Sequence, residues 1–193
     1  NPLPMLGKLD FLRGFHQFWF VTITPYGKEI EPRVPDKGKV LQAFRVLSKT
    51  VGKQCVSWRY DPIFLSERYS LSFHIEMFEK MCAYLGGYVE QCIISFIDLY
   101  AKTKRNFPGV RPVRREERMR IGQAFAEIGA RYQIRIRSCC EGTELAPLGV
   151  DVSGCMTKEI LEHAIGMELQ IPSGKKGQRE ACSCILGSDI GEY

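Results

Sequence analysis

Residues Cys55–Ile63 read CVSWRYDPI. The stretch begins as a strand and ends in Arg59, Tyr60 and Asp61 before Pro62. An apolar run that stops in ionisable residues is how a strand delivers chemistry to the mouth of an α/β fold. Three more stretches end in the same way: FWFVTITPY (Phe18–Tyr26), CIISFIDLY (Cys92–Tyr100) and IRIRSCCEG (Ile134–Gly142). Helix-like segments separate them, so four polar strand ends point to one face built for a ligand or a reaction.

The segments between the strands carry helical spacing. Asp36 caps a helix with Val40, Phe44, Leu47 and Val51 on one face, and Gly52 ends it. Ser70 or Ser72 caps a second, with Ile75, Phe78, Cys82 and Leu85 as its buried stripe. Val89–Phe96 is nearly all apolar, as expected of a strand covered on both faces. Ala101–Pro112 reads as a long basic loop, Arg114–Tyr132 as a third helix and Gln133–Cys139 as the fourth strand. A short helical turn over Glu144–Gly149 and a helix over Thr157–Ile165, capped by Thr157, follow. Asn1–Arg13 is turn-rich, then weakly helical, and Pro172–Arg179 is a basic loop.

Repeated strand–helix alternation predicts a parallel sheet with right-handed crossovers. The expected fold is α/β: part of a (β/α) TIM-like barrel, with an open doubly wound parallel sheet as the alternative. Arg135 and Arg137 alternate with Ile134 and Ile136. That pattern suits an edge strand, or two cations turned inward to bind an anion.

The 193 residues suffice for one domain with a real core, spanning 1–193 with a cysteine-bearing tail over 172–193. Hydrophobic content of 45% and charged content of 25% are those of a soluble globular chain. No apolar run approaches the roughly 18 residues of a membrane span, so no membrane partner is expected. The first residue is Asn and the last is Tyr193, which reads as a fragment of a longer chain.

Charge and cysteines are unevenly spread. The net charge is +5, yet Ala101–Cys140 alone holds 11 Lys/Arg against 3 Asp/Glu, a net of +8. With the tail, this gives candidate nucleic-acid or phosphate contacts at Lys102, Lys104, Arg105, Arg111, Arg114, Arg115, Lys175 and Lys176. A solvated helix face plus a loop is the plainer reading. Cys55, Cys82 and Cys92 sit in apolar contexts, where thiols are chemically quiet. Cys139, Cys140, Cys155, Cys182 and Cys184 crowd the last third near Gly, Ser and charged residues. A reducing, cytoplasmic setting with some late cysteines as metal ligands fits better than a secreted disulfide framework. Cys182-x-Cys184 supplies two soft ligands, and Cys155 with Cys139 or Cys140 would complete four. Ordinary free thiols are the competing reading.

Asp61, Asp98 and Glu141 each close a strand, with Arg59 on the Asp61 face. If the strands are parallel neighbours, they ring one rim, where they would hold cofactor or substrate or move protons. The plainer reading pairs Asp61 with Arg59. His16, His74 and His163 are the only histidines, too few and wrongly placed for a hydrolytic metal barrel. No GxSxG, P-loop or GxGxxG occurs, which removes support from acyl hydrolases, P-loop nucleotidases and Rossmann dehydrogenases.

The opening NP, then TPYGKEIEP, WRYDPI, SFIDLY, CCE, QREACSC and SDIGEY, resemble the pieces of a microbial domain-of-unknown-function family. That family is noted for C-terminal cysteines similar to the radical-SAM iron–sulfur motif. The resemblance runs through essentially the whole chain. Family members carry a segment ahead of the NP and continue past SDIG-Y into a CxxxCxxC-like stretch, and neither is present here. It implies that Cys182 and Cys184 lie near a cluster region. The expected activity is that of a radical-SAM-like enzyme using an iron–sulfur cluster and S-adenosylmethionine in the full-length protein, on an unassigned substrate. A nucleic-acid or phosphate-binding module, and a structural zinc protein, are the alternatives.

Overall fold

The computed structural model of the chain describes residues 1–107, 109–171 and 184–185. Lys175, Lys176 and Cys182 lie outside the described residues. Four strands, β1 (Trp19–Thr22), β2 (Val56–Ile63), β3 (Gln91–Phe96) and β4 (Arg135–Ser138), form one sheet in the order β1-β2-β3-β4. Every neighbouring pair is parallel. A sequential order without reversal is that of consecutive units in a (β/α) barrel, and an all-parallel sheet is common to both expected architectures.

Three crossover helices, α1 (Lys37–Val51), α2 (Leu71–Leu85) and α4 (Arg115–Arg131), bury their stripes against one sheet face. Local chemistry sets their ends. Asp36 Oδ1 accepts the Lys39 N–H at 3.1 Å, and Ser70, not Ser72, caps α2 by accepting the Phe73 N–H at 3.2 Å. Gly52 stops α1 at φ 98°, a conformation cheap for glycine alone. The packed face carries Val21, Val56, Trp58, Tyr60, Cys92, Ile94 and Ile136. Phe78 stacks on both Trp58 and Phe125, and Trp58 Nε1 donates to the Ile23 carbonyl at 2.9 Å. His74 is fully buried beneath this cluster: its Nε2 pairs with the Phe64 carbonyl and its Nδ1 with Tyr60 Oη, both at 2.9 Å.

The other face carries Ser57, Arg59 and Asp61 of β2, Gln91 and Ile93 of β3, and Arg137 of β4, by the two-residue period. Cys155, Met156 and Cys184 pack on it around Ile93. Helix α5 (Lys158–Ile165), capped by Thr157, leads from there to the amino edge. At that edge the Ala164 carbonyl accepts from Cys55 Sγ and His163 meets Glu90 at 2.8 Å.

Two sequence expectations change. The basic stretch expected as a loop contains helix α3 (Ala101–Asn106). Ala, Lys and Arg are good helix formers, and Lys104 and Arg105 in its last turn suit the negative end of the dipole. The fourth strand is not a bare edge either. Asp151 bridges Arg137 in parallel, through Ser138 N–H to the Asp151 carbonyl and Asp151 N–H to the Ile136 carbonyl, both 2.9 Å. Arg137 is turned inward and buried, with Asp151 at 2.9 Å and Ser153 Oγ at 3.0 Å, whereas Arg135 is exposed. No helix among the described residues is long and apolar enough to cross a membrane.

Candidate functional site

Because all four strands are parallel, their carboxyl ends share one edge, where β2 contributes a rigid ion pair. Asp61 lies two residues beyond Arg59 on the same face, and the carboxylate takes Arg59 Nε at 3.1 Å and Nη2 at 2.5 Å. Asp61 is buried and Arg59 about three-quarters so, which leaves little room to change partners. Burial opposes the Arg59 charge, but the Asp61 carboxylate more than offsets it and the guanidinium pKa rises.

The remaining Arg59 nitrogen, Nη1, approaches Cys155 Sγ at 3.9 Å. Cys155 stands between two other sulfurs, Cys139 at 3.5 Å and Cys184 at 3.4 Å. The three come from the end of β4, the loop before α5 and the tail, so only the fold unites them. The Cys155 thiol donates to Cys139, and that hydrogen bond, with Arg59 nearby, pulls the Cys139 pKa down to about 6. Cys155 moves up for the complementary reason: deprotonating it would give up the hydrogen bond it donates to Cys139 and set a second buried negative charge beside that sulfur. Cys184 Sγ in turn accepts the N–H groups of Cys155 (3.1 Å) and Met156 (3.3 Å). Gly154 leaves space for it, since a Cβ there would stand 3.1 Å from the sulfur.

Glu141 follows Cys139 and Cys140. Its Oε1 accepts the Phe96 N–H at 2.7 Å, and its Oε2 meets Arg118 Nη1 at 3.0 Å. Burial raises its pKa to about 7 despite both donors. Asp98 is exposed at the end of β3 and accepts from Tyr100 Oη at 3.1 Å. Beside the mouth, the TPYGKEIEP loop is latched to β2: Tyr26 Oη donates to the Pro62 carbonyl at 2.7 Å and accepts the Phe64 N–H at 3.2 Å.

The fold thus gathers Arg59, Asp61, Cys139, Cys155 and Cys184 in one chain of contacts. Of the Cys139/Cys140 pair, Cys139 is the one that meets Cys155; Cys140 is the next residue, at φ 57°. Parity along β4 explains the choice, because Cys139 shares its face with the inward Arg137. Arg118 holds Glu141 across 23 positions of chain, a separation that no local sequence pattern marks.

The basic stretch looks different in three dimensions. Arg111 forms a two-pronged pair with Glu117 (2.7 and 2.5 Å), which Arg114 also approaches at 4.0 Å, and Arg115 reaches Glu144 at 3.4 Å. Arg118, Arg131 and Arg137 meet Glu141, Glu79 and Asp151, acids from outside that stretch. Lys102, Lys104 and Arg105 fall on α3, where the side chains of the last two are exposed. A cavity of about 710 Å³ opens at the opposite, amino edge, lined by residues that include Gln54, Gln91, Gln133, Arg135 and Glu159. Lys53 and His163 there are already engaged with Glu90.

A family model described as a domain of unknown function, DUF1848, matches residues 1–193. The chain belongs to the DUF1848 family. No curated protein and no solved structure matches it. Among its described residues, no group of three or more His, Cys, Asp or Glu is placed to hold a metal ion. The sulfur spacings agree with that. A tetrahedral zinc site with bonds of about 2.3 Å keeps its thiolates about 3.8 Å apart, and the DUF1848 sulfurs are closer, at 3.4 and 3.5 Å. Thiolates on a four-iron cluster each bind a different iron and stand wider still.

Proposed function

We propose that the chain forms the sheet and mouth of an iron–sulfur enzyme resembling the radical-SAM class, with cofactor and substrate held at the carboxyl edge. What supports the reading is the Arg59–Asp61 pair and the part-buried Glu141 at the carboxyl edge of a sequentially ordered parallel sheet. A cluster of this class supplies single electrons to an adenosyl cofactor.

The residues of this chain have narrower roles. Arg59, fixed by Asp61, offers a guanidinium to a carboxylate or phosphate in the mouth. Glu141, with its pKa near 7, gives or takes a proton close to neutral pH. Asp98 stands at the rim for a hydroxyl or amine. The three sulfurs are too close to one another to serve three separate irons, so cluster ligation is not assigned to them. A single zinc ion is the second reading, favoured by the two backbone N–H groups that already serve Cys184; binding it would have to open the 3.4 and 3.5 Å sulfur spacings to about 3.8 Å.

The test is iron, acid-labile sulfide and zinc per chain, on anaerobically purified 193-residue chain and on the full product of its gene. Iron and sulfide near stoichiometric supports the enzyme reading. Zinc at one per chain supports the second. Absence of iron and sulfide from both proteins overturns the first.

A further inference from the structure

The sulfurs that suit a cluster poorly are well arranged for reacting with one another. Disulfide formation requires two sulfurs to close to about 2.05 Å. Cys155 Sγ has a neighbour on each side, 3.5 and 3.4 Å away, so either bond needs only a local side-chain movement. Access is graded. Cys139 is half-buried, whereas Cys155 and Cys184 are 8% and 5% exposed. Cys139 and Cys155 are free thiols. Arg59 Nη1 stands 3.9 Å from Cys155 Sγ, and a guanidinium beside the sulfurs favours the thiolate form, which is the attacking species in exchange. Cys55, Cys82 and Cys92 are buried in the body of the fold and provide an internal contrast.

We propose that Cys139, Cys155 and Cys184 form a thiol–disulfide exchange site for low-molecular-weight disulfides, with Cys139 as the attacking sulfur and Cys155 as the resolving one. Cys139 Sγ attacks one sulfur of the small disulfide; the S–S bond breaks, and the other half leaves as a thiolate that takes a proton from water. Cys155 loses its proton to solvent and attacks Cys139 Sγ. The mixed disulfide breaks, the second half leaves as thiol, and a Cys139–Cys155 bond remains. Cys184 then attacks Cys155, forming Cys155–Cys184 and returning Cys139 as a thiolate. The balance is two protein thiols oxidised and one small disulfide reduced to two thiols. This inference is independent of the iron–sulfur reading, because it uses sulfurs which that reading leaves unassigned.

The experiment uses oxidised glutathione as the disulfide. The reduced chain, with a chelator present, is incubated at pH 7 in a series of glutathione redox buffers, quenched with acid, alkylated and peptide-mapped. The expected result is loss of two of the eight thiols, recovered as a disulfide within the trio. Cys155→Ser should stop at glutathione attached to Cys139, and Cys139→Ser should slow the reaction by roughly tenfold or more. Far-UV circular dichroism checks that the variants fold, and the wild-type map decides the matter without them. Glutathione scattered over several cysteines with no trio disulfide overturns the proposal, as does a trio that stays reduced across the series. Metal content, measured separately, tests the iron–sulfur reading whatever the map shows.

Discussion

His74 and Glu141 should pull the stability of the chain in opposite directions as the pH falls from 7 to 5. Desolvation lowers the His74 pKa from 6.5 to about 4. The unfolded chain then takes up a proton that the folded chain refuses. His74's contribution is complete above pH 6.5 and is lost as pH falls toward 4. By pH 5 this costs about 2 kcal/mol at 1.36 kcal/mol per unit. Glu141 works the other way. Burial raises its pKa from 4.5 to about 7, so its contribution is complete below pH 4.5 and is lost as pH rises through 7. Going from pH 7 to 5 recovers about 2 kcal/mol. Urea unfolding of wild type, His74→Gln and Glu141→Gln at pH 5, 6 and 7, at fixed ionic strength, separates the two. His74→Gln should become more stable on acidification, Glu141→Gln less, with wild type between them. Three parallel curves would refute the reasoning, since neither group would then carry a shifted pKa.

The remaining predictions concern packing and the candidate site. Gly129→Ala should destabilise by about 2 kcal/mol or more in urea unfolding, despite better helix propensity, because a Cβ there would collide with the Ile134 carbonyl oxygen. Phe78→Ala, which opens the stack between Trp58 and Phe125, should cost about 3–5 kcal/mol by the same measurement. Arg59→Met leaves the buried Asp61 carboxylate without its cation and should cost about 3 kcal/mol, most of it recovered in Arg59→Met/Asp61→Asn, which a double-mutant cycle measures. Gly154→Ala puts a side chain at φ 120° and against Cys184, and should cost about 1–3 kcal/mol.

The sequence is most legible where one local cause is enough. Asp36, Ser70 and Thr157 cap their helices because each side chain reaches an N–H three residues on, and that spacing is written in the chain. The period of two put Arg59 and Asp61 on one face, and the structure has them as an ion pair there. Legibility fails where partners are distant. The basic run reads as +8, but its arginines are met by Glu79, Glu141, Glu144 and Asp151, so a local charge count overstates the field that a phosphate would meet. Arg137 shows both behaviours. Its alternation with isoleucine allowed either an edge position or an inward one. Only the return of the chain at Asp151 decided for burial against a carboxylate.

The cysteines extend the same argument to chemistry. Cys139, Cys155 and Cys184 are separated by 16 and 29 residues, and no spacing rule joins them; their meeting depends on β4 ending beside β3 and on the segment after Asp151 folding back over Ile93. A fold that merely buried thiols would keep each in apolar surroundings, as with Cys82 and Cys92, whose thiols burial pushes well up. This one sets a guanidinium and two backbone N–H groups against the three sulfurs. Such donors are wasted on a neutral thiol and stabilise a thiolate. A thiolate at this edge is what both a bound ion and an exchange reaction would require.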